Sequence, residues 1–592
     1  MRLPRLSCRD WLSRYDGATL SADLLAAVIV TIMLIPQSLA YAMLAGLPPQ
    51  VGLYASILPL VGYALFGTSR VLAVGPVAVA SLMTALAVQP VVAQGLADAP
   101  TAAVALALLS GAMLALAGLL RLGFIANFLS HPVISGFITA SGILIAAGQL
   151  KHILGVKGGG TTLPEMIPPL LRQLPQINPH TLAIGVPALA VLWLARRYAR
   201  RGLGRVLPAW LADMLARAAP ILVIAASILA VRHWDLGAQG VALVGTIPRG
   251  LPWPAVPGLS LPLLTALAAP AFLISVVGFV ESVSVGQTLA ARRRERISPD
   301  QELIGLGAAN LAAGISAGYP VTGGFARSVV NDDAGAQTPA AGVFTAIGIA
   351  LAALFLTPLL ADLPQAVLAA TIILAVLSLV DLRAIRRVRE YSPHDFIAMA
   401  ATILVTLGLG VEQGITAGVL LSLVMQLYRS ARPHWAVVGQ VPGTEHFRNI
   451  ARHQVETHPR ILALRVDESL YFANSRFLED RIAALVAENP QLRHLILMCP
   501  AVNHIDASAL ESLEEINRRL AEGGITFHLS EVKGPVMDRL RRSDFLLHLS
   551  GEVFLSQHAA MCRLRGDCDA PPMPEQAPGQ AMGHQAMGQK LS

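Results

Sequence analysis

Ser316-Ala-Gly-Tyr-Pro-Val-Thr-Gly-Gly-Phe-Ala-Arg-Ser-Val-Val-Asn331 lies among long apolar runs, yet it carries three glycines, a proline and an arginine. That is poor material for a continuous membrane helix. Lipid cannot satisfy N–H and C=O groups freed from a helix, so irregular backbone at membrane depth is tolerated only inside protein or along a wet cavity. The stretch reads as an extended Gly318-Tyr319-Pro320-Val321 feeding a short helix that starts near Thr322. Its first turn would offer free N–H groups and a positive dipole end, which favour an anion.

A second stretch, Arg70-Val-Leu-Ala-Val-Gly-Pro-Val-Ala-Val-Ala-Ser-Leu-Met-Thr84, has the same character. Gly75-Pro76 ends an extended approach, and Pro76 suits the first turn of a helix, where a missing N–H costs nothing. Either stretch alone reads equally well as a proline kink that helps helices pack. As a pair, in corresponding places of two halves, they point to the central site of a transporter.

Composition agrees with a membrane protein. Of 592 residues, 54% are hydrophobic and 14% charged, with a mean hydropathy of +0.59, whereas a soluble chain carries about 25% charged residues. The formal charge of +7 comes from basic clusters between apolar runs, the pattern of topology signals rather than of a nucleic-acid surface. Cys8, Cys499, Cys562 and Cys568 show neither metal-ligand spacing nor a disulfide framework, so no metal and no cofactor is expected. Residues 1–20, with Arg2, Arg5, Arg9 and Arg14, read as a basic lead-in rather than a cleaved signal peptide.

Fourteen apolar runs follow, as seven plus seven. The first half, about residues 21–235, holds Ser21–Ala45, Gly52–Phe66, the broken third after Arg70, and runs near Thr101–Leu120, Val133–Leu150, Thr181–Ala195 and Pro220–Val231. The second half, about residues 262–430, holds Leu264–Ala290, Ile304–Ile315, the broken tenth at Val321–Val330, Gly342–Leu360, Ala366–Val380, Phe396–Gly410 and Thr416–Tyr428. With the amino terminus cytoplasmic, the clusters Arg196 to Arg205, Arg292 to Arg296, Arg383 to Arg389 and Arg429 with Arg432 all fall on the inside. An error of one span would flip every later cluster. The same topology runs the third and tenth segments in opposite directions, so that their starts can meet near the midplane.

Leu34-Ile-Pro-Gln-Ser-Leu-Ala-Tyr-Ala-Met-Leu-Ala-Gly-Leu-Pro-Pro-Gln-Val-Gly-Leu-Tyr54, Phe66-Gly-Thr-Ser-Arg70, Val74-Gly-Pro-Val-Ala78, Val280-Glu-Ser-Val-Ser284 and Pro320 to Ser328 together resemble the SulP family of anion transporters, the sulfate permeases. The family has an aromatic residue where this chain has Val51, and a larger residue at Gly62. The resemblance implies fourteen spans in two inverted repeats, a core domain moving against a gate domain, and residues 21–432 as the transport unit. It further implies an anion held between the starts of the third and tenth helices, at Pro76, Val77 and Ala78 facing Thr322, Gly323, Gly324, Phe325 and Ala326. Gln37 and Tyr41, one helical turn apart on the first span, are the family's further contributors.

Two ionisable residues sit at membrane depth and need a reason. Arg327, one turn into the tenth helix, either adds positive charge near the anion or pairs with a carboxylate such as Glu281; direct ligation need not follow. Glu281 is the only acid in the eighth span, and the resemblance links its position to cation coupling, glutamate to H+ and aspartate to Na+. The expectation is anion/H+ symport, with Na+ less favoured; bracing of neighbouring hydroxyls is the bland alternative.

After Arg432 the composition becomes that of a soluble domain. Ile461–Val466, Leu495–Met498 and Ile525–Leu529 read as buried strands, with helical spacing over Ser475–Ala487 and Ala507–Ala521. With Tyr471-Phe-Ala-Asn474 and Val502-Asn-His-Ile-Asp-Ala-Ser508, residues 437–560 resemble a cytosolic α/β STAS domain, similar to anti-sigma-factor antagonists. Those proteins are phosphorylated at the place of Ser508, two residues after Asp506; simple helix capping by Asp506 is the favoured reading here. Residues 565–592 read as a disordered tail.

The whole describes a polytopic α-helical protein of a bacterial inner membrane, with cytoplasmic amino terminus and STAS domain. It is expected to be a homodimer, to accept a cytosolic regulatory partner at that domain, and to bind no nucleic acid. Sulfate is the expected substrate, with bicarbonate or a C4-dicarboxylate as alternatives; a channel is less favoured, and an enzyme or sensor lacks any catalytic motif.

Overall fold

The computed structural model describes residues 6–566 apart from residues 14, 125–129, 196, 198–208, 249 and 253–257. Most of the basic cluster from Arg196 to Arg205, together with Arg249, Cys568 and the tail from 567, lies outside the described residues.

Helical segments fall on each of the fourteen apolar runs. The first half comprises α1 (Gly17–Leu44), α2 (Pro49–Tyr54) with α3 (Leu58–Phe66), α4 (Ala78–Ala93), α5 (Ala99–Leu119), α6 (His131–Leu154), α7 (Pro179–Leu194) and α8 (Ala209–Trp234). The second comprises α9 (Leu261–Arg292), α10 (Pro299–Ile315), α11 (Phe325–Asp333), α12 (Ala340–Phe355), α13 (Gln365–Leu377), α14 (Pro393–Leu409) and α15 (Val411–Ala431). Among the described residues, seven helical stretches of 18 or more residues are long and apolar enough to cross a membrane. The second run departs from expectation, because residues 55–57 interrupt it between α2 and α3.

Local chemistry sets the helix ends. The carboxylate of Asp16 accepts from Thr19 N–H at 2.8 Å to start α1, and Asp98 accepts from Thr101 N–H at 3.2 Å to start α5. Between α5 and α10 the backbones touch through glycine: a Cβ on Gly111 would lie 2.6 Å from Leu311 N, and one on Gly307 would lie 2.7 Å from Ala115 N. Small residues that allow such close approach are how membrane helices gain packing energy. One buried apolar cluster joins α4, α5, α9 and α10, and a second joins α6, α7, α12 and α13.

Two compact units divide at Ser422 and Leu423. The second holds a six-stranded sheet of β3 (Trp435–Gln440), β4 (Phe447–Asn449), β5 (Ile461–Val466), β6 (His494–Met498), β7 (Thr526–Ser530) and β8 (Val553–Phe554), in the order β4-β3-β5-β6-β7-β8. Neighbours from β5 to β8 pair in parallel, which requires the crossover helices α16 (Ser475–Glu488) and α17 (Ala507–Glu522). The three expected strands are present, while β3, β4 and β8 escaped the sequence reading because they are short or only half apolar.

Candidate anion site

The two broken stretches meet as a minimal sheet. β1 (Val74–Gly75) pairs antiparallel with β2 (Thr322–Gly323), Val74 opposite Gly323 and Gly75 opposite Thr322. Each strand runs on into a half-helix, β1 through Pro76 and Val77 into α4, β2 through Gly324 into α11. Antiparallel strands send the two helices in opposite directions, with both positive dipole ends turned toward the crossing.

This pairing corrects two details of the sequence reading. α11 starts at Phe325 rather than near Thr322, because Thr322 and Gly323 are held extended by the ladder. Pro76 stands before Val77, the N-cap of α4, and so precedes the first turn instead of belonging to it.

Buried side chains hold the crossing from every side. Asn310 clamps Val321, accepting its N–H and donating to its C=O, both at 2.9 Å. Ser282 Oγ accepts Gly323 N–H at 2.8 Å and donates to Gly278 O at 2.6 Å. Ser328 Oγ donates to Gly324 O at 2.7 Å and accepts Ala73 N–H at 2.9 Å, while Asn331 Nδ2 donates to Val71 O at 3.0 Å. The sequence reading named none of these four as site residues. A polar side chain stranded in an apolar helix beside the broken one, as Ser282 and Asn310 are, or within the broken helix itself, as Ser328 and Asn331 are, was the signal that could have found them.

The amides then divide into two sets. Gly323 N–H is engaged by Ser282 and Gly324 N–H by Ala73 O at 3.1 Å, so these two stabilise the crossing. Neither N-cap, Val77 or Gly324, offers a side-chain acceptor, and the first intrahelical bonds are Ser81 N–H to Val77 O and Ser328 N–H to Gly324 O. The N–H groups of Ala78, Val79 and Ala80, and of Phe325, Ala326 and Arg327, therefore lack an intrahelical acceptor. Pro76, Val77, Ala78, Thr322, Gly323 and Gly324 are buried, whereas Phe325 and Ala326, at the start of α11, are exposed.

Arg327 is 3% exposed, and neither its Nη1 nor its Nη2 has a hydrogen-bond partner; the buried Thr322 Oγ1 also has none. Its guanidinium lies where side chains at two glycines would be, since a Cβ on Gly75 would stand 2.7 Å from Nη1 and one on Gly324 3.0 Å from Nη2. No ion pair or hydrogen bond joins it to Glu281, so direct pairing of the two is not what the structure contains. Glu281, Tyr41 and Tyr319 are nonetheless its electrostatic neighbours. Glu281 lines a small apolar pocket with Val79, Phe137, Val277 and Ile415. Tyr41 is buried and Gln37, one turn earlier on α1, is half-buried.

A roomier groove of about 680 Å³ runs between α7 and α8, lined by Ile184, Pro187, Val191, Leu222 and Trp234 among others. It touches none of the residues at the crossing, and its apolar walls suit lipid rather than an anion.

In the second unit, Asp506 caps α17 through a 2.8 Å bond from Ala509 N–H and also accepts Phe472 N–H at 2.9 Å. Ser508 is exposed in the first turn.

A bundle of apolar helices, interrupted twice so that two half-helix starts face each other, defines a membrane transporter and not an enzyme. The chain belongs to the sulfate permease family, whose model matches residues 20–402, and a STAS domain matches residues 452–560. It is 34% identical over 552 residues to a protein of Mycobacterium tuberculosis described as a probable sulfate transporter, covering 92% of this chain and 96% of that one. It is 35% identical over 569 residues to the chloroplastic sulfate transporter 4.1 of Arabidopsis thaliana, covering 92% and 80%. In fold it is similar to the murine solute carrier 26 family member A9 anion transporter in the inward-facing state, with a TM-score of 0.85, 22% identity and coverage of 95% and 94%. The transmembrane domain of the cyanobacterial bicarbonate transporter BicA covers 69% of this chain and 98% of its own at a TM-score of 0.59 and 20% identity.

Proposed function

We propose that this protein is a secondary carrier that moves sulfate together with a proton across a bacterial plasma membrane. The observation that carries the reading is the crossing of β1 and β2, from which two helices start with six N–H groups lacking intrahelical acceptors, and beside which the Arg327 guanidinium is buried with neither Nη atom partnered. A tetrahedral dianion satisfies such donors, and the relatives named as sulfate transporters support the choice of sulfate over bicarbonate or a dicarboxylate. Thr322, Phe325 and Ala326, with Gln37 and Tyr41 from α1, complete the site, and Gly323 and Gly324 serve it by holding the crossing.

Glu281 is the coupling group in this reading. Glu281 stands among apolar side chains within electrostatic range of Arg327, so that a proton arriving at Glu281 and an anion arriving beside Arg327 compensate each other's charge. Proton and anion therefore load together. Movement of the helices around α4, α5, α9 and α10 against those around α6, α7, α12 and α13 then exposes the site alternately.

Uptake of labelled sulfate into proteoliposomes at zero membrane voltage tests the proposal. An inward proton gradient should accelerate uptake by the wild type and leave Glu281→Gln unaffected. A Glu281→Gln protein that still answered to the gradient would remove Glu281 from the coupling step, and competition by bicarbonate or succinate stronger than that by sulfate would change the substrate.

A further inference from the structure

Two acidic residues inside the helices are fully buried and belong to neither the anion site nor the coupling step: Asp23 on α1 and Glu302 on α10. Their surroundings match group for group. Glu302 Oε1 accepts Thr68 N–H at 2.7 Å, Ser69 N–H at 3.1 Å and Thr68 Oγ1–H at 2.5 Å, while Oε2 accepts the Tyr63 hydroxyl at 2.8 Å. Asp23 Oδ1 accepts Gln337 N–H at 2.6 Å and Thr338 N–H at 3.1 Å, while Oδ2 accepts Thr338 Oγ1–H at 2.5 Å and the Tyr15 hydroxyl at 3.2 Å. Each carboxylate thus meets two successive backbone amides, a threonine hydroxyl and a tyrosine hydroxyl, all of them neutral donors.

The places of the two cradles matter more than their likeness. Thr68 and Ser69 form the loop that leads from α3 into β1, and Gln337 and Thr338 form the loop that leaves α11 for α12. One carboxylate therefore grips the chain just before the first broken segment and the other grips it just after the second. Three donors converging from two consecutive amides and a hydroxyl make a small anion nest. A side-chain carboxylate fills it with acceptors only, which an amide or hydroxyl cannot do.

We propose that Asp23 and Glu302 are a matched pair of positioning carboxylates. Each fixes the loop at the foot of one broken segment, and so fixes where β1, β2 and the amides of α4 and α11 stand. They touch no substrate; they act through the crossing. This inference rests on the reading that the anion is held at the half-helix starts.

The test is labelled sulfate uptake by full-length protein in proteoliposomes, with KM and Vmax per monodisperse protein measured for Asp23→Ala, Glu302→Ala, Asp23→Asn, Glu302→Gln and the site variant Ala326→Leu. Loss of either anchor should raise KM about tenfold. The Gln and Asn variants, which keep one acceptor oxygen but turn a donor NH2 toward the nest, should raise KM severalfold, less than the alanine variants do. Where an alanine variant does not fold, its amide counterpart carries the test, and a KM raised severalfold over wild type supports the proposal. A wild-type KM in folded anchor variants whose thermal stability alone has dropped would overturn it. If Ala326→Leu raises KM while the anchor variants do not, the positioning role falls and the site reading stands; if Ala326→Leu too leaves KM unchanged, the site reading itself falls.

Discussion

Gly75 and Arg327 share one volume: a Cβ built on Gly75 would lie 2.7 Å from Arg327 Nη1. The buried guanidinium thus owes its place beside the crossing to the absence of a side chain on the opposite strand. Gly75→Ala must displace it, and because Arg327 lies on the half-helix that carries three of the free amides, the displacement reaches the site. The expected outcome is a KM for sulfate raised by about tenfold or more, at an expression level close to wild type. Uptake kinetics beside size-exclusion profiles check this.

Asn310 makes a different prediction, one of stability. Replacing it by leucine leaves both the N–H and the C=O of buried Val321 without partners, at about 1–3 kcal/mol for each group. Ser282→Ala orphans only Gly323 N–H and should cost roughly half as much on the same reasoning. Thermal unfolding of detergent-solubilised variants should rank wild type above Ser282→Ala above Asn310→Leu; equal melting temperatures would show that the clamps are not needed to hold the crossing.

Much of this could be seen in the residues. Gly and Pro mark both broken stretches, and Arg327 at membrane depth marks the second, because a lipid-facing helix has little use for any of the three, and the apolar runs carry the helix count. The antiparallel pairing of Val74–Gly75 with Thr322–Gly323 lay beyond that reading. It joins segments some 250 residues apart through two residues on each side, too short for any periodic pattern to show. The start of α11 was misplaced for the same reason. Asp23 and Glu302 were overlooked because they stand near helix ends, where an acid is usually solvated and draws no notice.

The second unit carries a pH response of its own. His528 on β7 is buried between His494 and Phe554, and its Nδ1 accepts Glu552 N–H at 3.0 Å. Burial, with a smaller contribution from the charge of His494, lowers its pKa from the ordinary 6.5 to about 4. A lowered histidine pKa stabilises the fold fully above pH 6.5, and that stabilisation is lost as pH falls toward 4, with a ceiling on the order of 3 kcal/mol. Hydrogen-exchange protection of the Glu552 amide and of β7 should therefore fall between pH 6.5 and 4. Protection unchanged across that window would contradict the assignment.

Asp506 caps α17 with its own carboxylate, and exposed Ser508 follows two residues later. Asp506→Ala should destabilise the second unit by about 1 kcal/mol, while Ser508→Ala should leave both stability and sulfate uptake unchanged. Differential scanning fluorimetry and uptake by the two variants measure the contrast; a transport defect in Ser508→Ala would instead give that hydroxyl a regulatory role.

The central claim concerns where the anion sits. A cryo-electron microscopy map of the protein in lipid nanodiscs with saturating sulfate, compared with a map without it, tests this most directly. The account predicts added density at the crossing of β1 and β2, within hydrogen-bond reach of the amide nitrogens at the starts of α4 and α11. Sulfate density elsewhere, with those amides unchanged between the two maps, would contradict it.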